Sequence, residues 1–242
     1  MKQKLKQVLS YFGVRLLREP AGIAMGHDLW RDLGLLLPES PAPLCLDVGA
    51  NHGEIVDAIL RLRPFAKVHA FEPSSQCQHI LRARFANQSQ VTLVESGLGD
   101  EEGAREFHRY ANDQLSSFLP LQAGPANPFA KETEVTREKV PITTIDRYAT
   151  THNLGRIDLL KIDTQGYDLR VLHGATKLLE AGSVTHVLIE LNFLPLYESQ
   201  SAPEEIISFL SRHGLQLVDF YEKCRREQRL AWCTALFRKI TP

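Results

Sequence analysis

The sequence predicts an α/β chain on a doubly wound, mostly parallel sheet of seven strands, the last of them antiparallel. Three observations predict it. From Leu44 onward, short apolar runs alternate with stretches whose apolar residues recur at helical spacing. The runs are continuously apolar, as strands covered on both faces by helices must be. The first run ends in a glycine-rich turn, Asp47-Val48-Gly49-Ala50-Asn51-His52-Gly53, that opens a helical stretch. That is where a doubly wound sheet binds a nucleotide-like cofactor.

The first strand covers residues 44–48. Residues 54–63 read as a helix, with Ile55, Ala58, Ile59 and Leu62 along one side and Pro64 as its stop. A second strand at 67–71, a second helix at 74–85 and a third strand at 91–95 follow. The fourth strand, 157–162, leads into a helix over 168–180. The fifth, 185–191, leads into a helix over 203–213. The sixth and seventh strands, 215–221 and 231–238, are joined by a short charged segment with no crossover helix, which makes them antiparallel. Between about residues 100 and 155 the rhythm breaks at Gly103, Pro120, Gly124, Pro125, Pro128 and Pro141. This reads as an irregular insertion at the ligand edge of the sheet, placed to act as a lid.

The α/β domain is therefore expected over 44–242, preceded by an N-terminal part over 1–43. Residues 1–18 carry Lys2, Lys4, Lys6, Arg15 and Arg18 without an acid, and Leu5, Val8, Leu9, Phe12, Leu16 and Leu17 at helical spacing. Such a basic amphipathic helix most often packs on its own domain or on a partner; the alternative is peripheral contact with an anionic membrane surface. Pro-rich residues 38–43 close this part as a connector.

Composition narrows the function classes. Twenty-eight Lys and Arg oppose 29 Asp and Glu, for a net charge of −1. That balance gives no support to a nucleic-acid partner. No stretch approaches the ~18 uninterrupted apolar residues of a membrane span, and residues 1–20 lack the pattern of a signal peptide. Cys45, Cys77, Cys224 and Cys233 are too scattered for a disulfide framework or a thiolate zinc site. A cytoplasmic setting is the expectation.

Gly49 and Gly53 let the backbone turn tightly and approach a ligand, and Asn51 tolerates the left-handed conformation between them. Nineteen residues after Gly53, Glu72 ends the second strand, placed to hold a ribose diol. A dinucleotide fingerprint would be G-x-G-x-x-G; here Asn51 and Glu54 stand at the second and third glycine positions, and Asp47 precedes the turn. An acid-lined entry repels a diphosphate and suits a cofactor with a cationic, amino-acid end. S-adenosylmethionine has both, and a ribose. Asp163 interrupts an apolar strand at its carboxyl end, the binding edge of the sheet, where its other role would be to cap the next helix.

Asp47-Val-Gly-Ala-Asn-x-Gly53, Phe71-Glu72-Pro73, Ser96-Gly97-Leu98-Gly99-Asp100, Leu160-Lys-Ile-Asp163-Thr-Gln-Gly-Tyr-Asp168 and Val171-Leu172-x-Gly174-Ala175 occur in this order. Together they resemble the FkbM family of S-adenosylmethionine-dependent methyltransferases, over roughly residues 44–238. The resemblance implies the Rossmann-like class I methyltransferase fold and O-methylation of a hydroxyl on a small molecule or glycan. It implies that Asp47, Gly49 and Asn51 line the methionine end of the cofactor, with Gly53 in the same cofactor-binding turn, that Glu72 holds the ribose, and that Ser96 and Gly97 border the adenine. Asp163 and Glu190, at the ends of the fourth and fifth strands, are the implied catalytic pair. Where this chain has Gln165, the family often has Glu. The change weakens a magnesium site at Asp163 and Glu190, which stays the less favoured reading. Ser116 and Ser117 match a serine pair in the family, so they are candidates to shape the site. His173 reads as structural. Lys223, Arg225, Arg226 and Arg229 read as a solvated turn. A nicotinamide-dependent oxidoreductase on the same sheet, and a non-catalytic cofactor-binding protein, are the competing readings.

Overall fold

The computed structural model describes residues 25–37 and 42–240. The expected basic helix at 1–18 and residues 38–41 of the connector lie outside the described residues. The described chain starts with α1 (Leu29–Leu36), then β1 (Leu44–Val48), α2 (Glu54–Leu62), β2 (Lys67–Phe71), α3 (Ser75–Arg84) and β3 (Val91–Val94). An insertion follows, with β4 (Gly97–Leu98), β5 (Gly103–Tyr110), β6 (Glu134–Thr143) and α4 (Ile145–Thr151). The chain closes with β7 (Leu159–Ile162), α5 (Asp168–His173), α6 (Thr176–Glu180), β8 (His186–Asn192), α7 (Pro203–Arg212), β9 (Leu215–Arg226) and β10 (Arg229–Lys239).

The main sheet has seven strands in the order β3-β2-β1-β7-β8-β10-β9. β3, β2, β1, β7 and β8 run parallel, and β10 lies antiparallel between β8 and β9. This is the expected doubly wound sheet with its antiparallel last strand. Its central strands are largely apolar because one core packs on each face, with Asp47 and Lys161 the buried exceptions in β1 and β7. Leu46, Val48, Leu160, Ile162 and Ile189 enter one; Cys45, Val68, Leu159 and Leu188 enter the other. The chain order reverses between β1 and β7, so the crevice at their carboxyl ends is the switch point at which such folds bind ligands.

Three elements depart from expectation. The insertion is not irregular: β4, β6 and β5 form a second, three-stranded sheet, with β5 and β6 antiparallel from Gly103↔Ile142 to Tyr110↔Glu134. The expected helix over 168–180 is two short helices. They break at Gly174, where a Cβ would lie 2.0 Å from the Gly99 carbonyl oxygen. β9 and β10 run longer than expected, to a tight turn at Glu227 and Gln228. Both turn residues have positive φ, 46° and 65°, which matches the right-handed twist of a hairpin.

α1 carries no signal strong enough to place it from sequence, yet it is firmly docked. Leu29, Leu33 and Leu37 are buried in the second core. Buried Asp32 accepts hydrogen bonds from the Gly26 amide at 2.6 Å and the Tyr221 hydroxyl at 2.9 Å. Arg63 donates to the Gly34 and Leu37 carbonyls at the helix's far end, satisfying acceptors that a helix terminus leaves open. None of the described helices is long and apolar enough to cross a membrane. The four cysteines are free.

Candidate active site

A cleft of about 270 Å³ opens at the carboxyl ends of β1, β2, β7 and β8. Its floor is the glycine turn. Gly49 has φ +78°, and a Cβ there would lie 1.9 Å from the Asp163 carbonyl oxygen. Only glycine lets the turns after β1 and β7 meet this closely. Asn51 takes φ +45°. Gly53, at φ +85°, caps α2 against Phe85 and Leu81 rather than lining the cleft.

Glu72 is buried at the cleft wall. One carboxylate oxygen accepts the Asn51 N–H and the other the Ser74 N–H, both at 2.8 Å. Burial pushes its carboxyl up to about 7, although those two amides pull the other way. Each oxygen keeps a free lone pair, so the group can still accept from a diol. Gly97 and Leu98 line the opposite side with Phe107 and Phe118, an apolar slot. Ser96 does not reach it; its hydroxyl lies by the Gly97 and Pro141 carbonyls, to which it can donate.

Asp47 departs from the sequence reading. It is fully buried beneath the cleft and is not part of its surface. Its ion-pair partner is Lys161, 3.0 Å from Asp47 Oδ1. Lys161 also donates to the Gly49 carbonyl at 3.0 Å and stands 3.9 Å from Asp163 Oδ2. Burial would lower the Lys161 ammonium, but Asp47 and Asp163 outweigh it and hold the group above its usual range. Sequence reasoning missed Lys161, although a lysine inside the apolar run Leu159–Ile162 was a legible signal.

Asp163 and Glu190 do converge in the cleft. The amide of Gln165 stands between them, 2.7 Å from Asp163 Oδ1 and 3.1 Å from Glu190 Oε2. Asn192 donates to the same Glu190 oxygen at 3.2 Å. Burial, then the charges of Asp163 and Asp168, raises Glu190 well above the ordinary carboxylate range. The turn carrying Asp163 and Gln165 is tied down by Asp168, whose carboxylate accepts from the Thr164 and Gly166 amides. The buried Ser117 hydroxyl lies 2.8 Å from the Gln165 carbonyl. Ser116 lines the cleft. His173 lies elsewhere, packed edge-on against Phe209.

The second sheet forms the outer wall. Asp113 and Gln114, in the turn after β5, line the cleft, and Asp113 pairs with His52 of the glycine turn at 2.8 Å. Cys77 lies 3.9 Å from the same Asp113 oxygen. Among the described lining residues, Glu54, Glu72, Asp113, Asp163 and Glu190 face a single basic side chain of the Lys or Arg type, Lys161. Such a lining disfavours a diphosphate and suits a sulfonium with an ammonium end. The glycine turn, Glu72 and the apolar slot fit the remaining parts of S-adenosylmethionine.

The model of the "Methyltransferase FkbM domain" matches residues 47–217. The 2-O-methyltransferase NoeI of Sinorhizobium fredii is 27% identical over 180 residues, covering 72% of this chain and 73% of that protein. The methyltransferase sdnD of Sordaria araneosa is 29% identical over 160 residues, 54% of this chain and 60% of that one. An rRNA methylase from Streptococcus thermophilus superposes with a TM-score of 0.51 at 10% identity, over 88% of this chain and 94% of that one; this likeness concerns the fold alone. The family match decides against the nicotinamide reading. With a class I methyltransferase sheet, a cleft whose acids and glycines suit the sulfonium cofactor, and a family match over most of its length, the chain belongs to the FkbM family of S-adenosylmethionine-dependent methyltransferases.

Proposed function

We propose that the protein methylates a hydroxyl oxygen of a small molecule or glycan. The observation that carries this reading is the carboxylate pair, Asp163 and Glu190, held together at the ends of adjacent strands β7 and β8 in the cleft of the glycine turn. The likeness to a 2-O-methyltransferase supports it. When bound, the cofactor supplies an electrophilic methyl carbon on a sulfonium. A hydroxyl taking up that methyl in place of the sulfur would have to give its proton to a group in the cleft.

Asp163 is partly open to the cleft and can accept a hydrogen bond from the hydroxyl, aiming the oxygen. Burial and the charge of Asp163 raise the proton affinity of Glu190, which makes its ionised form the stronger base of the pair toward the hydroxyl proton. Lys161 stays charged and steadies Asp163. Glu72, with Asn51 and Ser74 behind it, would hold the ribose, and Gly49 and Asn51 would carry the amino-acid end.

The test is an incubation of purified protein with S-adenosylmethionine and a panel of sugars and hydroxylated small molecules. Mass spectrometry reads the gain of one methyl, and NMR places it. A methoxy product formed by the wild type and lost in Asp163→Asn is the expected result. A product methylated on nitrogen or carbon would refute the oxygen assignment.

A further inference from the structure

Gln165 has no role in the chemistry described so far, yet its geometry is tightly determined. Its backbone is left-handed, at φ +55°, a conformation uncommon outside glycine. Its Nε2 donates to Asp163 Oδ1 at 2.7 Å and to Glu190 Oε2 at 3.1 Å. Its Oε1 accepts from the Tyr197 hydroxyl at 2.8 Å. The reverse orientation would set a carbonyl oxygen against two carboxylates, so the network itself fixes the amide. Both amide hydrogens are therefore committed, one to each acid.

A divalent ion shared by these two carboxylates would lie roughly 2.0–2.6 Å from an oxygen of each. The amide nitrogen stands between those oxygens, in the space such an ion would need. We propose that Gln165 takes the place of a divalent cation: it is a positioning residue whose amide clamps the acid pair so that the pair works without metal. It follows that Gln165→Glu turns the same place into a three-carboxylate cation site. The proposal rests on the reading of Asp163 and Glu190 as the pair that faces the acceptor.

The test uses Mn²⁺ alone, titrated into the full chain by calorimetry and electron paramagnetic resonance, with no acceptor present. In the wild type, Mn²⁺ binding should be weak and unchanged by Asp163→Asn. Gln165→Glu should bind Mn²⁺ at least about tenfold more tightly, and adding Asp163→Asn should abolish the gain. Mn²⁺ should also restore thermal stability that Gln165→Glu loses in chelator. A merely structural glutamine predicts no such metal rescue. If Gln165→Glu does not fold, Gln165→Ala vacates the same space and should show an intermediate gain. Tight wild-type binding that Asp163→Asn removes would overturn the proposal. So would a folded Gln165→Glu that binds S-adenosylhomocysteine normally but gains no affinity for Mn²⁺. Failure of the O-methylation reading appears separately, as a wrong product in the acceptor screen.

Discussion

Glu72 should make cofactor binding depend on pH in a way that can be calculated. Burial raises its carboxyl from 4.5 to about 7 in the unliganded protein. That difference of 2.5 units corresponds to about 3 kcal/mol against ionisation inside the fold. The folded state therefore holds a proton that the unfolded chain releases near 4.5. Stability from this group is greatest below 4.5, falls as pH rises through the window, and levels off above about 7. A ribose diol donates to the ionised form, so binding must expel the proton. The Kd for S-adenosylhomocysteine should then be nearly flat above pH 8 and about tenfold weaker at pH 6. Calorimetry between pH 6 and 8.5, repeated in buffers of different ionisation enthalpy, reads both the affinity and the released proton. In Glu72→Gln the pH dependence should vanish and affinity should drop by about ten- to a hundredfold, from the loss of charge-assisted hydrogen bonds. A wild-type Kd that is flat from pH 6 to 8, or an equal slope in Glu72→Gln, would refute the reasoning.

Three further outcomes follow from the geometry. Lys161→Met strands the buried Asp47 charge and should cost about 3–5 kcal/mol in denaturant unfolding, with part of that recovered in Lys161→Met/Asp47→Asn. Gly49→Ala should cost at least about 1–3 kcal/mol for its backbone conformation alone. It also pushes the β7 turn away, so calorimetry should find cofactor binding lost even where protein remains folded. Asp163→Asn should keep S-adenosylhomocysteine affinity within a few-fold of wild type while turnover of an acceptor from the screen falls about 10²–10⁴-fold; unchanged turnover would remove Asp163 from the mechanism.

The parallel strands were legible because burial on both faces leaves a mostly apolar run, as at Leu44–Val48 and Leu159–Ile162, each broken by one charged residue, Asp47 and Lys161. The insertion's strands were not. β6 reads Glu-Val-Thr-Arg-Glu-Lys-Val-Pro-Ile-Thr and is mostly open to solvent until Val140 and Ile142, so its pattern resembles a charged loop. The placement of Glu72, Asp163 and Glu190 at the cleft was legible because each acid stands at the carboxyl end of a largely apolar strand. Asp47 was misplaced because the same signal does not distinguish a carboxylate at the cleft surface from one buried on a lysine below it. Gln165 was noticed only as a missing charge. Its clamp depends on Tyr197, 32 residues away, and that kind of contact leaves no trace in local pattern.

The crossing at the switch point also sets a timetable for synthesis. β1 leaves the ribosome early and can pair with β2 once both have emerged, but its other edge waits for β7. Lys161 emerges 112 residues after Gly49, roughly 6–22 s later at ordinary elongation rates. Through that interval the nascent chain carries an open sheet edge, and Asp47 has no counter-ion. The second sheet, whose β5 and β6 pair locally, can form during the delay. Arrival of β7 then closes the edge, neutralises Asp47 and brings Asp163 over Gly49 in one event. A nascent chain halted before residue 159 should therefore lack both the Lys161 counter-ion and the turn that meets Gly49, and should not bind S-adenosylhomocysteine.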